Sequence, residues 1–112
     1  MIESIPLNDG QSIPQLGLGT YGLWNEEGTA VVAEAIKLGY RHLDTAARYE
    51  NEEAVGIGIR RSGIDRSELY VTTKLDGECQ GEDRAVAGLA DSLGRLGLEY
   101  VDLLLIHWPL PK

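Results

Sequence analysis

The sequence predicts an α/β fold organised around a parallel sheet. Short runs rich in β-branched and aromatic residues alternate with amphipathic stretches of helical spacing, and Gly39, Gly63 and Gly97 stand where those stretches stop. Strands alternating with helices at this spacing imply parallel strands joined by right-handed crossovers, with helices covering at least one face of the sheet. The expected order is a β-hairpin followed by βαβαβαβ, in one domain over residues 1–112.

Each element has its own signal. Asn8-Asp9-Gly10 places turn formers between short apolar segments, the pattern of a tight hairpin. Residues 15–20 read as a short buried strand. Asn25 then offers a helix cap before Glu26 and Glu27, and Val31, Val32, Ala35, Ile36 and Leu38 supply the apolar positions of a helix that Gly39 closes. Residues 40–44 form a second strand, and residues 52–61, with Val55 and Ile59 one turn apart, a second helix ending near Gly63. Residues 69–74 are rich in β-branched and aromatic side chains and make a third strand. The third helix has the plainest pattern: Val86, Leu89, Leu93 and Leu96 recur at helical spacing within residues 83–96, before Gly97. Residues 100–107 form a fourth strand, which Pro109 and Pro111 end because proline cannot donate to a ladder.

Composition narrows the function. A chain of 112 residues with 43% hydrophobic and 25% charged content is that of an ordinary globular domain. Its net charge of -8 repels the phosphate backbone that dominates nucleic-acid affinity and disfavours anionic lipid, so neither nucleic acid nor membrane is an expected partner. Cys79 is the sole cysteine and the first residues lack the regions of a signal peptide, which makes a reducing cytoplasm the expected location. The longest apolar run, residues 103–106, is far shorter than the roughly 20 residues a bilayer requires. No metal is expected either: only two histidines are present, and His42, pointing opposite to Arg41 and Leu43, reads as structural. Cys79 lies in an acidic loop beside Glu78 and Glu82, which disfavours a thiolate nucleophile.

A parallel sheet delivers the carboxyl end of every strand to one rim, where barrel enzymes place their active groups. Asp44 ends the second strand, Tyr49 lies in the loop after it, Lys74 ends the third strand and His107 the fourth. Singly, each has an ordinary role: Asp44 as a turn cap, Tyr49 as a surface aromatic, Lys74 as a solvated charge, His107 as a satisfied core histidine. Jointly they favour a shared site, because three consecutive strands ending in Asp, Lys and His are hard to explain by independent structural roles. A phenol that ionises near about pH 10 is a poor acid at neutral pH unless a nearby cation stabilises its phenolate. Lys74 can supply that cation, Asp44 can keep the ammonium charged and oriented, and His107 can hydrogen-bond a substrate oxygen. This is a layout for proton transfer to a developing alkoxide.

The residues also carry a resemblance. Gly39-Tyr40-Arg41-His42-Leu43-Asp44-Thr45-Ala46, then Tyr49, Asn51, Glu52, Val55 and Gly56, resemble the first signature of the aldo-keto reductases. Leu93, Leu96-Gly97-Leu98, Tyr100-Val101-Asp102-Leu103 and Ile106-His107-Trp108-Pro109 resemble the family's segment through the fourth strand, with Thr72-Thr73-Lys74-Leu75 fitting the strand between. The hairpin and Gly17-Leu18-Gly19-Thr20-Tyr21 match as well, so the similarity runs over essentially the whole chain.

What the resemblance implies is specific. The fold would be a partial TIM (β/α)8 barrel, the hydride donor NADPH, and the substrate a small-molecule aldehyde or ketone. Asp44, Tyr49, Lys74 and His107 would be the catalytic tetrad: Tyr49 the general acid, Lys74 the cation beside it, Asp44 the support of Lys74, and His107 the group that orients the carbonyl. Gly19, Thr20, Tyr21 and Asp44 would lie near the nicotinamide ribose, and Tyr21, His107 and Trp108 at the substrate. Apart from the family, core or rim packing is an equal reading of the two aromatics. His107-Trp108-Pro109-Leu110-Pro111 and Asn51-Glu52-Glu53 look most like bacterial diketogluconate reductases and their relatives. One departure is Asp76-Gly77, where many members carry Trp-Asn, so this loop is expected to shape its pocket differently.

The family barrel has eight strands and about 250 residues or more. The present residues correspond to its amino-terminal half. They do not include the loops after strands seven and eight with which the family holds the pyrophosphate, adenine and 2′-phosphate. A four-stranded piece is expected to expose unpaired edges and apolar inner faces, both of which favour self-association. Two functions stay open on the sequence: a reductase represented by its amino-terminal half, or an inactive half-barrel that works by joining a complementary half or a second copy.

Overall fold

The computed structural model describes residues 2–109, so the expectations that involve Leu110 and Pro111 lie outside the described residues. Ser4–Pro6 (β1) pairs antiparallel with Ser12–Pro14 (β2), placing Ile5 opposite Ile13. The turn between them closes through the expected residues. Gly10 adopts a φ of 85°, its N–H reaches the Leu7 carbonyl at 3.2 Å, and the Asp9 carboxylate accepts the Gln11 N–H at 3.0 Å.

Four parallel strands follow: Leu18–Gly19 (β3), His42–Asp44 (β4), Tyr70–Leu75 (β5) and Leu103–Ile106 (β6). Asn25–Leu38 (α1), Glu52–Ser62 (α2) and Glu82–Leu96 (α3) make the crossovers. Order in the sheet equals order in the chain, β3-β4-β5-β6. Every crossover therefore advances to the next strand on the same side, which is the winding of a barrel rather than of a doubly wound sheet. Among the described residues β3 and β6 each have one strand neighbour, leaving both edges of the sheet open.

Leu43 of β4 and Val71 of β5 point to the helices and are buried with Val32, Ile36, Val55, Ile59 and Leu96. Alternation along the strands then sends His42, Asp44, Tyr70, Thr72 and Lys74 to the opposite face. This corrects the expected apolar inner face. The face that would line a barrel is mainly polar on β4 and β5, where His42 Nε2 meets Thr72 Oγ1 at 2.9 Å, and only Leu103 and Leu105 of β6 add aliphatic surface to it.

Three further expectations change. Asn25 does not cap α1: it is the first helical residue, with φ 57°, while Trp24 holds the cap position without a side-chain bond. The cause is the packing of the incoming loop, since a Cβ on Gly28 would lie 2.2 Å from the Leu23 carbonyl carbon and the loop sits directly on the first turn. The first and fourth parallel strands are shorter than expected, at two and four residues, and Leu16 is exposed rather than buried. In α3 the buried residues are Gly88, Ser92 and Leu96, whereas Val86 is 68% exposed. Small side chains face the sheet there because Cys79 and Leu75 come within about van der Waals reach of Gly88: a Cβ would meet Cys79 Sγ at 2.9 Å.

Between α1 and α2 the packing is closer still. A Cβ on Gly58 would lie 2.7 Å from Val32 Cβ and 2.8 Å from the Thr29 carbonyl, and the Thr29 hydroxyl donates to the Ala54 carbonyl at 2.9 Å. At Gly58 the two helices thus approach closely, α2 backbone against the Val32 side chain and the Thr29 carbonyl.

Candidate active site

The carboxyl rim of the sheet gathers Asp44, Tyr49, Lys74 and His107. Lys74, near the end of β5, crosses to β4, where its ammonium donates to the Asp44 carboxylate and to the Thr45 carbonyl, the latter at 2.9 Å. Its third direction points at the Tyr49 hydroxyl, 3.4 Å away. Each of the three ammonium hydrogens therefore has an oxygen to meet. The lysine side chain is 13% exposed against 44% for Asp44, so the cation is sheltered while one carboxylate edge faces solvent.

Tyr49 lies on a single 3-10 turn, Ala47–Tyr49, closed by its N–H on the Ala46 carbonyl at 3.1 Å. Its ring stands edge-on to His107 at 5.7 Å and edge-on to Tyr21 at 5.3 Å. His107 follows β6 directly and is held by its N–H on the Leu75 carbonyl at 3.2 Å. The imidazole Nδ1 is buried without a hydrogen-bond partner among the described residues, and the ring leans on Trp108 at 4.5 Å. Tyr21 and Trp108 are 73% and 52% exposed, two aromatic surfaces on opposite sides of Tyr49 and His107.

Gly19 and Thr20 take different places. Space above Gly19 is open, with nothing within 4 Å of a Cβ position. Thr20 is fully buried, and its N–H and hydroxyl both bond the Asp44 carbonyl, at 3.0 and 3.1 Å. Its N–H and hydroxyl are thus engaged within the protein.

Sequence reasoning left the residues that brace this rim without a role. Asn51 is 3% exposed, and its side-chain NH2 donates to the carbonyls of Thr20 at 2.6 Å and Leu23 at 3.1 Å while its oxygen accepts the Thr45 hydroxyl at 3.3 Å. The loop after β3 is thereby fastened to the loop after β4. Glu52, 1% exposed, lies on the helix side of the sheet, where its carboxylate accepts Thr73 Oγ1 at 2.6 Å, Ser92 Oγ at 3.2 Å and Arg95 Nε at 2.8 Å. A buried carboxylate needs such partners, and these come from β5 and α3. A local signal for the pair is weak, since an Asn at the cap position and a Glu in the first helical turn are ordinary helix starts; Asn51 makes no side-chain cap bond.

A broad cleft lies elsewhere, between the amino ends of α1 and α2, lined by Trp24, Glu26, Glu50, Glu53 and Arg95 among others. It does not hold the four gathered side chains. Geometry of convergent groups outweighs concavity here, because a rim contributed by four strands is open on its β6 side.

Strand order and rim together define a partial (β/α)8 barrel with polar groups collected at its carboxyl mouth. Residues 15–112 match the model of the aldo/keto reductase family, and the chain belongs to that family. It is 51% identical over 111 residues to 2,5-diketo-D-gluconic acid reductase B of Corynebacterium sp., an overlap of 99% of this chain and 40% of that protein. The crystal structure of an aldo/keto reductase from Brucella melitensis superposes with a TM-score of 0.95 at 48% identity, covering 100% of this chain and 44% of the other. A Bombyx mori aldo-keto reductase in complex with NADP gives a TM-score of 0.91 at 43% identity, over 99% of this chain and 39% of its own. The chain spans about two fifths of the length of the curated relatives it matches. No helix among the described residues is long and apolar enough to cross a membrane.

Proposed function

We propose that residues 1–112 form the amino-terminal half of a single barrel domain and carry the proton-donating apparatus of an NADPH-dependent reductase of aldehydes and ketones. The observation that carries this reading is the ammonium of Lys74, tied to Asp44 and lying 3.4 Å from the Tyr49 hydroxyl. Membership of the family and the NADP complex of the silkworm relative support it.

The residues present fit one end of the cofactor. Open space over Gly19, the solvent-facing edge of Asp44 and the exposed ring of Tyr21 suit a nicotinamide and its ribose. Bound NADPH would supply the hydride. Tyr49 then gives its proton to the carbonyl oxygen as negative charge develops there, which is the step a positioned acid accelerates. Lys74 stabilises the phenolate left behind, and Asp44 with the Thr45 carbonyl keeps the ammonium aimed at it. His107 hydrogen-bonds the same oxygen, with Tyr21 and Trp108 as walls around a small carbonyl substrate. NADPH chemistry and the unpaired Cys79 both suit a reducing cytoplasm. Isolated, the 112 residues self-associate through the open edges of β3 and β6.

The test uses a complete barrel in which residues 1–112 replace the corresponding segment of the Corynebacterium 2,5-diketo-D-gluconic acid reductase B. Tyr49→Phe should lower kcat for NADPH oxidation with small aldehydes by about a hundredfold or more, the usual scale for a general acid. A variant as fast as its parent would mean another group donates the proton.

A further inference from the structure

The turn bearing Tyr49 has little to fix it from within. It is three residues long, and Glu50 leaves it in the left-handed region with φ 57°. Beside the contacts of the Tyr49 ring and hydroxyl, two hydrogen bonds reach it from outside. The Trp24 indole N–H donates to the Tyr49 carbonyl at 2.9 Å, and Arg48 Nη1 meets Asp76 Oδ1 at 3.2 Å. Trp24 comes from the loop after β3 and Asp76 from the loop after β5, so the turn after β4 is held from both neighbouring strands. Trp24 also stands edge-on to Tyr21 at 6.2 Å, which stands edge-on to Tyr49 at 5.3 Å. Asp76 is itself set in place, since its Oδ1 accepts the Gly77 N–H at 2.8 Å.

We propose that Trp24 is a positioning residue for Tyr49, holding the phenol at Lys74 through the tyrosine's own main-chain carbonyl, with Arg48–Asp76 as a weaker second hold. The inference rests on Tyr49 being the acid. The distance it guards is sensitive: at 3.4 Å the Lys74–Tyr49 contact lies at the outer edge of hydrogen bonding, and a small outward drift of the turn breaks it. Trp24, though 48% exposed, carries the larger share because it grips the main chain of Tyr49 itself from a rigid ring, whereas Arg48–Asp76 acts one residue away through a long side chain in an ion pair screened by salt. The Asp76-Gly77 departure from the common Trp-Asn thus has a structural consequence: it gives the turn a carboxylate to hold.

Trp24→Phe keeps an aromatic edge for Tyr21 and removes the donor. In the complete barrel it should lower kcat by about five- to tenfold, leave the KM for NADPH unchanged, and raise the solvent deuterium isotope effect on kcat, because proton transfer from a displaced phenol becomes more rate-limiting. Arg48→Ala should lower kcat by less than about threefold at low salt and have no effect at high salt, whereas Arg48→Lys should keep most of the low-salt rate. A folded Trp24→Phe barrel with parent kcat and parent isotope effect overturns the proposal. Should that variant not fold, hydrogen exchange in the unsubstituted barrel decides: the Trp24 indole N–H must exchange more slowly than that of Trp108, and equal rates overturn the assignment. Failure of the acid itself is read separately, as parent activity in Tyr49→Phe.

Discussion

The two flanks of this half-barrel are built differently. On the flank of α1, β4 and α2, helices meet through glycine, Val32, Leu43 and Val55 have no solvent exposure, and Asn51 fastens one loop to the next. On the flank of β6 the sheet ends and Leu105 and Ile106 are 40% and 61% exposed, although α3 itself is seated on α2, where a Cβ on Gly56 would lie 2.0 Å from the Leu96 carbonyl oxygen. Asp44, Tyr49 and Lys74 belong to the first flank or its border, and His107 with Trp108 to the second. The contrast teaches that the Asp44, Lys74 and Tyr49 part of the rim is fixed by this chain's own packing, while His107 and Trp108 lie at the open edge.

Substitutions can break that contrast at graded cost. Glu52→Ala should have the largest effect, about 3–5 kcal/mol by urea unfolding of the complete barrel, because it empties a fully buried site and leaves the buried Thr73 and Ser92 hydroxyls without their acceptor where β5, α2 and α3 join, while the half-exposed Arg95 turns to water. Gly56→Ala comes next, at about 2–3 kcal/mol, since its Cβ would lie 2.0 Å from the Leu96 carbonyl oxygen and backbone must move to admit it. If the outer side of α3 is as open as its exposure indicates, Gly94→Ala does the opposite. Nothing lies within 4 Å of the new methyl, and removing a glycine from a helix interior should stabilise by about 0.5–1 kcal/mol. A loss of stability there would show that α3 is more tightly packed than its surface implies.

The smallest effect is a pH dependence centred on the polar inner face. Burial pushes the His42 imidazole below its ordinary value of about 6.5, against opposing pulls from the Asp44 and Asp102 carboxylates and the Pro14 carbonyl, with the Lys74 cation acting with burial. The unfolded chain then binds the proton more readily than the folded one. Stability is complete above about pH 6.5 and declines as pH falls from there toward the lowered folded value. His42→Gln should flatten that decline in unfolding experiments between pH 7 and pH 5, apart from any uniform change in the plateau from the lost Thr72 and Tyr70 contacts. A decline that persists unchanged would assign it to carboxylates instead.

Much of this was readable in the residues, and what was not has a common cause. The alternation of elements, the glycine stops and the placement of Asp44, Lys74 and His107 at strand ends depend on near neighbours in sequence. The bracing by Asn51 and Glu52 does not: their partners Thr20, Leu23, Thr73, Ser92 and Arg95 lie 21 to 43 residues away. On α3 helical periodicity found Leu96, which is fully buried, and the half-buried Leu89 and Leu93, but it misled on the exposed Val86 and missed Gly88 and Ser92. A hydrophobic pattern reports which side chains avoid water, and close approach to a sheet can instead require small ones. The Asn25 expectation failed similarly, because the loop pressed on Gly28 determined the start of α1.

The glycine seam between α1 and α2 has a consequence for how a ligand is received. With Gly58 against the β-branched Val32 side chain and the Thr29 carbonyl, sliding either helix brings these groups into collision, so the pair behaves as one stiff piece. The loops bearing Tyr21, Trp24 and Tyr49 spring from the leading ends of those same helices. The mouth is thus a caliper with one fixed jaw, and any adjustment of its width falls to the other, where Trp108 stands.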